Sequence, residues 1–293
     1  MIRLRRGALA LDLVPQWGGG ISRLTYEGID VLRPPLGGPG DPRPLELACF
    51  PLVPFANRVA HGRFTFGGRA VALEGNLDGQ PHPLHGHGWL APWRVEDSGE
   101  GRALLSFVHK AGAWPWPYRV TQQVELGGHG LSLALTLTNL ADEPAPAGLG
   151  FHPYFPDRAN ARLTANLDGV WGIDTAFLPT AHHDGLPFAD WRGGAALAQP
   201  SLIDHCHTGW DGSARIDLSG QGLTLRMTAS ADLRWLHVYS PPGEDFFCVE
   251  PVSHRPDALN APDPLSQGVR SLGAGESMTV SMTLDVALPI KQL

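Results

Sequence analysis

The sequence predicts an all-β protein, a large antiparallel β-sandwich, on three observations. Apolar and polar residues alternate with period two along the chain, 36 glycines and 27 prolines punctuate those runs, and helical periodicity with caps is hard to find. Many strands at short spacing with so few helices argue against a parallel sheet of βαβ units. A hydrophobic fraction of 43% against 17% charged residues suits a packed core joined by turns.

Taken in order, the opening stretch MIRLRRGALALDLVPQWGGG has a basic start and a short apolar run. Asp12 interrupts that run and no small-residue cleavage site follows, so it reads as a first strand and turn. In LSLALTLTNL, Leu131, Leu133, Leu135 and Leu137 share one face and Ser132, Thr136 and Thr138 the other, the pattern of a half-buried strand. The segment ADEPAPAG from Ala141 has linker composition, but it is short and strands of one kind flank it. One domain over residues 1–293 is therefore expected. Around Pro179 to Gly194 and Pro262 to Val269 the chain reads as loops carrying a turn or two. GLTLRMTAS from Gly222, WLHVYS from Trp235, FFCVE from Phe246 and SMTVSMTLDVAL from Ser277 are further strands, each bounded by Gly, Pro, Asp or Asn.

The net charge of −7 argues against a broad electrostatic attraction to nucleic acid or an anionic membrane, and a small neutral ligand fits it more easily. No stretch approaches the roughly 20 apolar residues that cross a bilayer. Cys49, Cys206 and Cys248 are odd in number and far apart, which fits neither a disulfide framework nor a zinc knuckle and makes a reducing cytoplasm the expected location.

Most of the 13 histidines carry no signal: His61, His109, His129, His182, His183 and His237 have no clustered partner in the sequence. Three stretches differ by packing reactive side chains into Gly/Pro-rich backbone near a strand end. They are PFANRVAHGRF with Asn57 and Arg58, HPLHGHGWLAPW with His82, His85 and His87, and FFCVEPVSHRPDALN with Glu250. Alternation carries Glu250 out of an otherwise apolar strand, where desolvation would raise its pKa toward that of a usable base. In GLGFHPYF, Gly148 and Gly150 permit close backbone approach while Phe151, Pro153 and Tyr154 wall in His152. His85 and His87 form an H-x-H pair of the kind that binds metal in cupins, but the next acid is Glu96, beyond Trp89 and Trp93, so no metal is expected. No glycine-rich piece has the order of a phosphate loop or a dinucleotide fingerprint.

In this order, PFANRVAHGRFTFGG, LHGHGW, GFHPYF, LIDHCHTGWDG and VEPVSHRPDALN resemble the aldose 1-epimerases, or mutarotases, of the galactose mutarotase-like superfamily. The likeness runs nearly end to end. It implies a β-sandwich with an open sugar cleft on one sheet, no metal, no organic cofactor, and a small-molecule sugar as partner, in a monomer or homodimer. Carried over residue by residue, Glu250 resembles the catalytic base and His152 the general acid. His85 resembles the histidine that contacts the sugar near the reacting centre, Asp204 the carboxylate that holds sugar hydroxyls, and Arg58, with Asn57 beside it, the arginine that orders the site. Members acting on galactose commonly read His-Gly-Gly where this chain has His85-Gly86-His87-Gly88-Trp89, which leaves the sugar preference open.

The chemistry this implies is ring opening: a base takes the proton of the C1 hydroxyl while an acid protonates the ring oxygen, the C1–C2 bond rotates, and the two groups exchange roles for closure. Ionised Glu250 with protonated His152 would do this, with nearby carboxylates raising the histidine. Trp89 is the expected stacking platform, with Trp93, Trp114, Trp116 and Trp210 in the core. Three rival readings remain: a hexose-6-phosphate epimerase drawing on Arg58, Arg94 and Arg255, a non-catalytic sugar-binding module, and a cupin-like metal isomerase.

Overall fold

A computed structural model describes residues 1–36 and 44–287. Two large antiparallel sheets account for most of it, joined by a few single-turn 3₁₀ segments, and among the described residues no α-helix occurs. The first sheet runs in the order Ile2–Arg6, Leu9–Val14, Gly20–Tyr26, Cys49–Leu52, Gly150–Pro156, Phe246–Val252, Trp235–Ser240, Ile203–Thr208, Gly169–Ile173, Pro179–Asp184. The second runs Ala195–Ala196, Ala161–Ala165, Ser213–Leu218, Leu223–Ala229, Ser277–Ala287, Gly130–Asn139, Tyr118–Leu126, Arg102–His109, Arg94–Gly99. Every pairing within both sheets is antiparallel.

Alternation decides which side chains meet between the sheets. Leu131, Leu133, Leu135 and Leu137 are all at most 2% exposed and pack with Leu11, Leu13, Phe151, Phe247 and Val249 in one continuous core. Burying such leucines is worth roughly 1.5–3 kcal/mol each, so the paired sheets hold one another in place. The first sheet is apolar on its second face too. Phe50, Leu52, Tyr154, Cys206, Trp235, Cys248 and Val252 form a smaller cluster there, covered by loops rather than by another sheet. That face carries the site.

Three elements differ from expectation. Pro179–Asp184 is an edge strand, paired on one side only with Gly169–Ile173 and otherwise exposed, so its sequence carries no apolar alternation. The strand of Glu250 does not end there but continues through Pro251 to Val252. The C-terminal run expected through Leu288 is a strand over Ser277–Ala287, and Leu288 lies outside the described residues.

Candidate active site

The local reason for the site is a gap in one strand ladder. Gly150–Pro156 pairs with Phe246–Val252 through Gly150↔Val252 at one end and Tyr154↔Cys248 at the other. The register between places His152 directly opposite Glu250. Pro153 and Pro251 sit beside them, and neither has an N–H to donate to a ladder. The two strands thus hold the pair face to face without bonding across it, and His152 Nε2 lies 3.4 Å from Glu250 Oε1.

His152 is clamped between aromatic rings, with Phe50 at 4.7 Å and Tyr154 at 4.6 Å, both stacked. Its Nδ1 is buried with no hydrogen-bond partner. Burial pushes His152 down to about 3, helped by the charge of His237, and so the imidazole is neutral. The expectation that carboxylates would raise it fails because desolvation outweighs them. Glu250, 2% exposed, is pushed up to about 7, again by burial first, with His237 and Arg58 pulling it back.

Four more of the expected residues line the same cavity, of about 380 Å³. His85 has a left-handed backbone, φ 60°, and exchanges two hydrogen bonds with Asn57: its N–H donates to the Asn57 carbonyl at 2.8 Å and its Nδ1 accepts from the Asn57 N–H at 3.1 Å. That acceptance leaves the proton of the neutral ring on Nε2, a donor near the His152 ring, whose centroid is 4.9 Å away. Burial lowers His85 well below its ordinary value. Asn57 Oδ1 in turn accepts from the Arg58 guanidinium at 3.3 Å, and Arg58 Nη1 stands 3.6 Å from Asp204 Oδ2. Asn57, Arg58, His85, His152, Asp204 and Glu250 therefore converge from five separate parts of the chain.

Trp89 does not join them. It is 1% exposed, its indole N–H donates to the carbonyls of Leu84 and Gly86, and it stacks on Phe50 at 5.2 Å, supporting the ring that clamps His152. The other tryptophans expected in the core are there. The aromatic surface facing the cavity comes instead from Tyr154, Tyr239 and Phe246. Alternation in WLHVYS and FFCVE could have supplied Tyr239 and Phe246, had the pairing of those strands been known.

His237 is the residue sequence reasoning missed. Its Nε2 is 2.7 Å from Asp204 Oδ1, it is 3% exposed, and it stands across the ladder from Glu250 on one side and Cys206 on the other. Burial works against its charge, but the bonds to Asp204 and Cys206 and the charge of Glu250 outweigh burial and raise it. Asp204 is held low in the same way, burial being overcome by the bond to His237 and the charges of His237 and Arg58.

The H-x-H pair does not converge. His87 turns away from His85, pairs with Tyr118 Oη at 2.9 Å, and lines a different cavity with His109. His152, Cys248 and Glu250 each offer a ligand atom within 4.8 Å of the others, yet burial drives the Cys248 thiol well above its ordinary value, which disfavours the thiolate a soft metal needs. Arg94 is paired with Glu96 on the surface and Arg255 lies over Trp171, so the basic cluster a phosphosugar would need is not assembled from them. Arg33 does line the cavity, but one of its terminal nitrogens is spent on the carbonyls of Leu45 and Leu47.

Known proteins share this arrangement of sheets. The crystal structure of an Escherichia coli K12 protein provisionally named an aldose 1-epimerase superposes with a TM-score of 0.90 at 32% identity, covering 98% of both chains. A galactose mutarotase-like protein from Clostridium acetobutylicum has the same fold, with a TM-score of 0.84 at 20% identity over 98% of this chain and 95% of its own. In sequence, the uncharacterised protein YphB of E. coli K12 is 34% identical over 97% of each chain, and the aldose 1-epimerase of that organism is 24% identical over 57% of this chain and 52% of its own. The family model for aldose 1-epimerases matches residues 1–285. The chain belongs to the aldose 1-epimerase family.

Proposed function

We propose that the protein is a cofactor-independent aldose 1-epimerase that interconverts the α and β anomers of a free aldose, with Glu250 and His152 as its acid–base pair. The observation that carries the reading is that pair itself: two titratable side chains 3.4 Å apart on the wall of a cavity of about 380 Å³, a size that takes a small sugar.

Opening needs one proton between the two groups. In one arrangement Glu250 is ionised and His152 protonated: the carboxylate takes the C1 hydroxyl proton while Nε2–H protonates the ring oxygen. After rotation about C1–C2 the other arrangement, Glu250 protonated and His152 neutral, runs the same transfers backwards onto the opposite face. Both are forms of a single protonation state, so turnover follows the fraction of the pair that holds one proton. Burial leaves that proton on Glu250, between values of about 3 for His152 and about 7 for Glu250. Of the residues lining the cavity, His85 through its Nε2–H, Arg58 and Asp204 would hold hydroxyls, and Tyr154, Tyr239 and Phe246 would offer faces for the sugar's C–H surface. A cytoplasmic location fits the three free, buried cysteines.

Polarimetry of freshly dissolved glucose, galactose and arabinose tests the reading. The wild type is expected to accelerate mutarotation of at least one, and Glu250→Gln to lose the acceleration by ~10²–10⁴-fold, the size of one positioned acid–base group, while still binding the sugar. Equal rates for wild type and variant on the favoured sugar would refute the assignment of Glu250.

A further inference from the structure

We propose that His237 is a positioning residue of this reaction, a fixed positive charge held by Asp204 against which the Glu250–His152 pair exchanges its proton. The proposal rests on the acid–base reading above and adds a residue to it.

Three observations carry it. First, His237 Nε2 is bonded to Asp204 Oδ1 at 2.7 Å in a wholly buried contact, and an imidazole between a carboxylate and a second acid is best placed to stay doubly protonated. Second, the register His237↔Glu250 makes the two side chains direct neighbours on the cavity face, their Cβ atoms roughly 4.5–5.5 Å apart as in any such pair. Third, His237 lines the same cavity as both members of the pair, so its charge acts on the reacting groups from the cavity wall.

The groups facing the imidazole fix the sign of its effect. Asp204 and Cys206 face it from Ile203–Thr208, with His205 and His207 on that strand, Glu250 faces it from Phe246–Val252, His85, His152 and Arg58 lie beyond them, and Tyr239 is on its own strand. A cation here disfavours protons on both members of the pair: it lowers Glu250 and it lowers His152. It therefore moves the one-proton window of the pair toward lower pH as a unit, without unbalancing the two groups. Asp204 retains Arg58 at 3.6 Å when the imidazolium is removed, so the site does not lose its anion at the same time.

The test is the pH dependence of kcat/KM for wild type and His237→Gln, on the aldose the wild type turns over fastest. The expected result is that both limbs move to higher pH by about one unit, the low end for the loss of a neighbouring opposite charge. Lower activity with unmoved limbs would mean that His237 serves packing only, and would overturn the proposal while leaving the acid–base reading intact. A wild type that turns over no aldose would remove that reading and the proposal with it. Should the variant fold poorly, ¹⁵N NMR of the wild-type histidines decides: the His237 ring is expected to stay protonated on both nitrogens at pH 8, and a His237 that is neutral at pH 7 would sink the idea. In Asp204→Asn the same signal is expected to titrate at lower pH than in the wild type.

Discussion

At the scale of single residues, burial governs the chemistry. Eight histidines of the described chain are pushed below their ordinary value with desolvation as the first cause: His82, His85, His87, His109, His152, His205, His207 and His254. Among the described histidines with a shift, His237 alone is raised, because its ring is hydrogen-bonded at 2.7 Å to the buried Asp204 carboxylate. For the proposed reaction the expected outcome is a pH profile with its alkaline limb near 7, where the last proton leaves the pair from Glu250, and an acid limb near 3, where the pair takes a second. His152→Asn is expected to lower kcat by ~10²–10⁴-fold at pH 6 and to leave the alkaline limb near 7 in the residual rate. A limb that vanished with His152 would mean the histidine titrates there instead.

At the scale of elements, the site depends on a loop tied down by one side chain. Asn76 donates to the carbonyls of Leu84 and Gly86 and accepts from the Leu84 N–H, each at 2.7 Å, which closes the loop that presents His85. Gly86 follows with φ 69° and lies against the Val53 carbonyl, where a Cβ has no room. Asn76→Ala removes three hydrogen bonds worth roughly 0.5–1.5 kcal/mol each, so a loss of about 3 kcal/mol is expected. For a chain of this length that is a fall in Tm of about 5 °C by calorimetry. Because His85 then loses its placement against Asn57 and His152, KM is expected to rise as well. An unchanged Tm would show that the loop is held by its packing on Val53 and Trp89 instead.

At the scale of the molecule, the two sheets share one core, and a single cooperative unfolding transition is expected by calorimetry. Its pH dependence follows from the lowered histidines. Between their folded values, about 3 to 4 for His87, His152, His207 and His254, and the unfolded value near 6.5, the unfolded chain binds protons that the folded chain refuses. Stability therefore rises with pH across that interval, and falls as pH drops from 6.5 toward 4. Glu250 acts in the opposite sense, since a raised carboxyl favours the folded state below 4.5 and loses that contribution as pH climbs to 7, but it is one group against four. Tm is expected to decrease steadily from pH 6.5 to 4.5, with net proton uptake on unfolding; a flat Tm over that range would mean the histidines are not buried as neutral rings.

The sequence by itself determined the fold class and singled out six of the residues that line the cavity. Alternation such as that of LSLALTLTNL is a local property, fixed by the two-residue period of a strand, and the motifs around Arg58, His85, His152, Asp204 and Glu250 are contiguous stretches whose likeness to a family is legible in one dimension. What only the tertiary structure decided is what those stretches meet. His237 looked solitary because its partners, Asp204 and Glu250, are 33 positions before it and 13 after it, and become neighbours only through strand register. Trp89 looked like a sugar platform because its motif is adjacent to His85, yet the turn at Gly86 sends the indole under Phe50 into the protein. The protonation of His152 reversed for the same reason. Desolvation depends on everything packed around a group, and a sequence records neighbours along the chain, while the energy of a buried charge is set by neighbours across it.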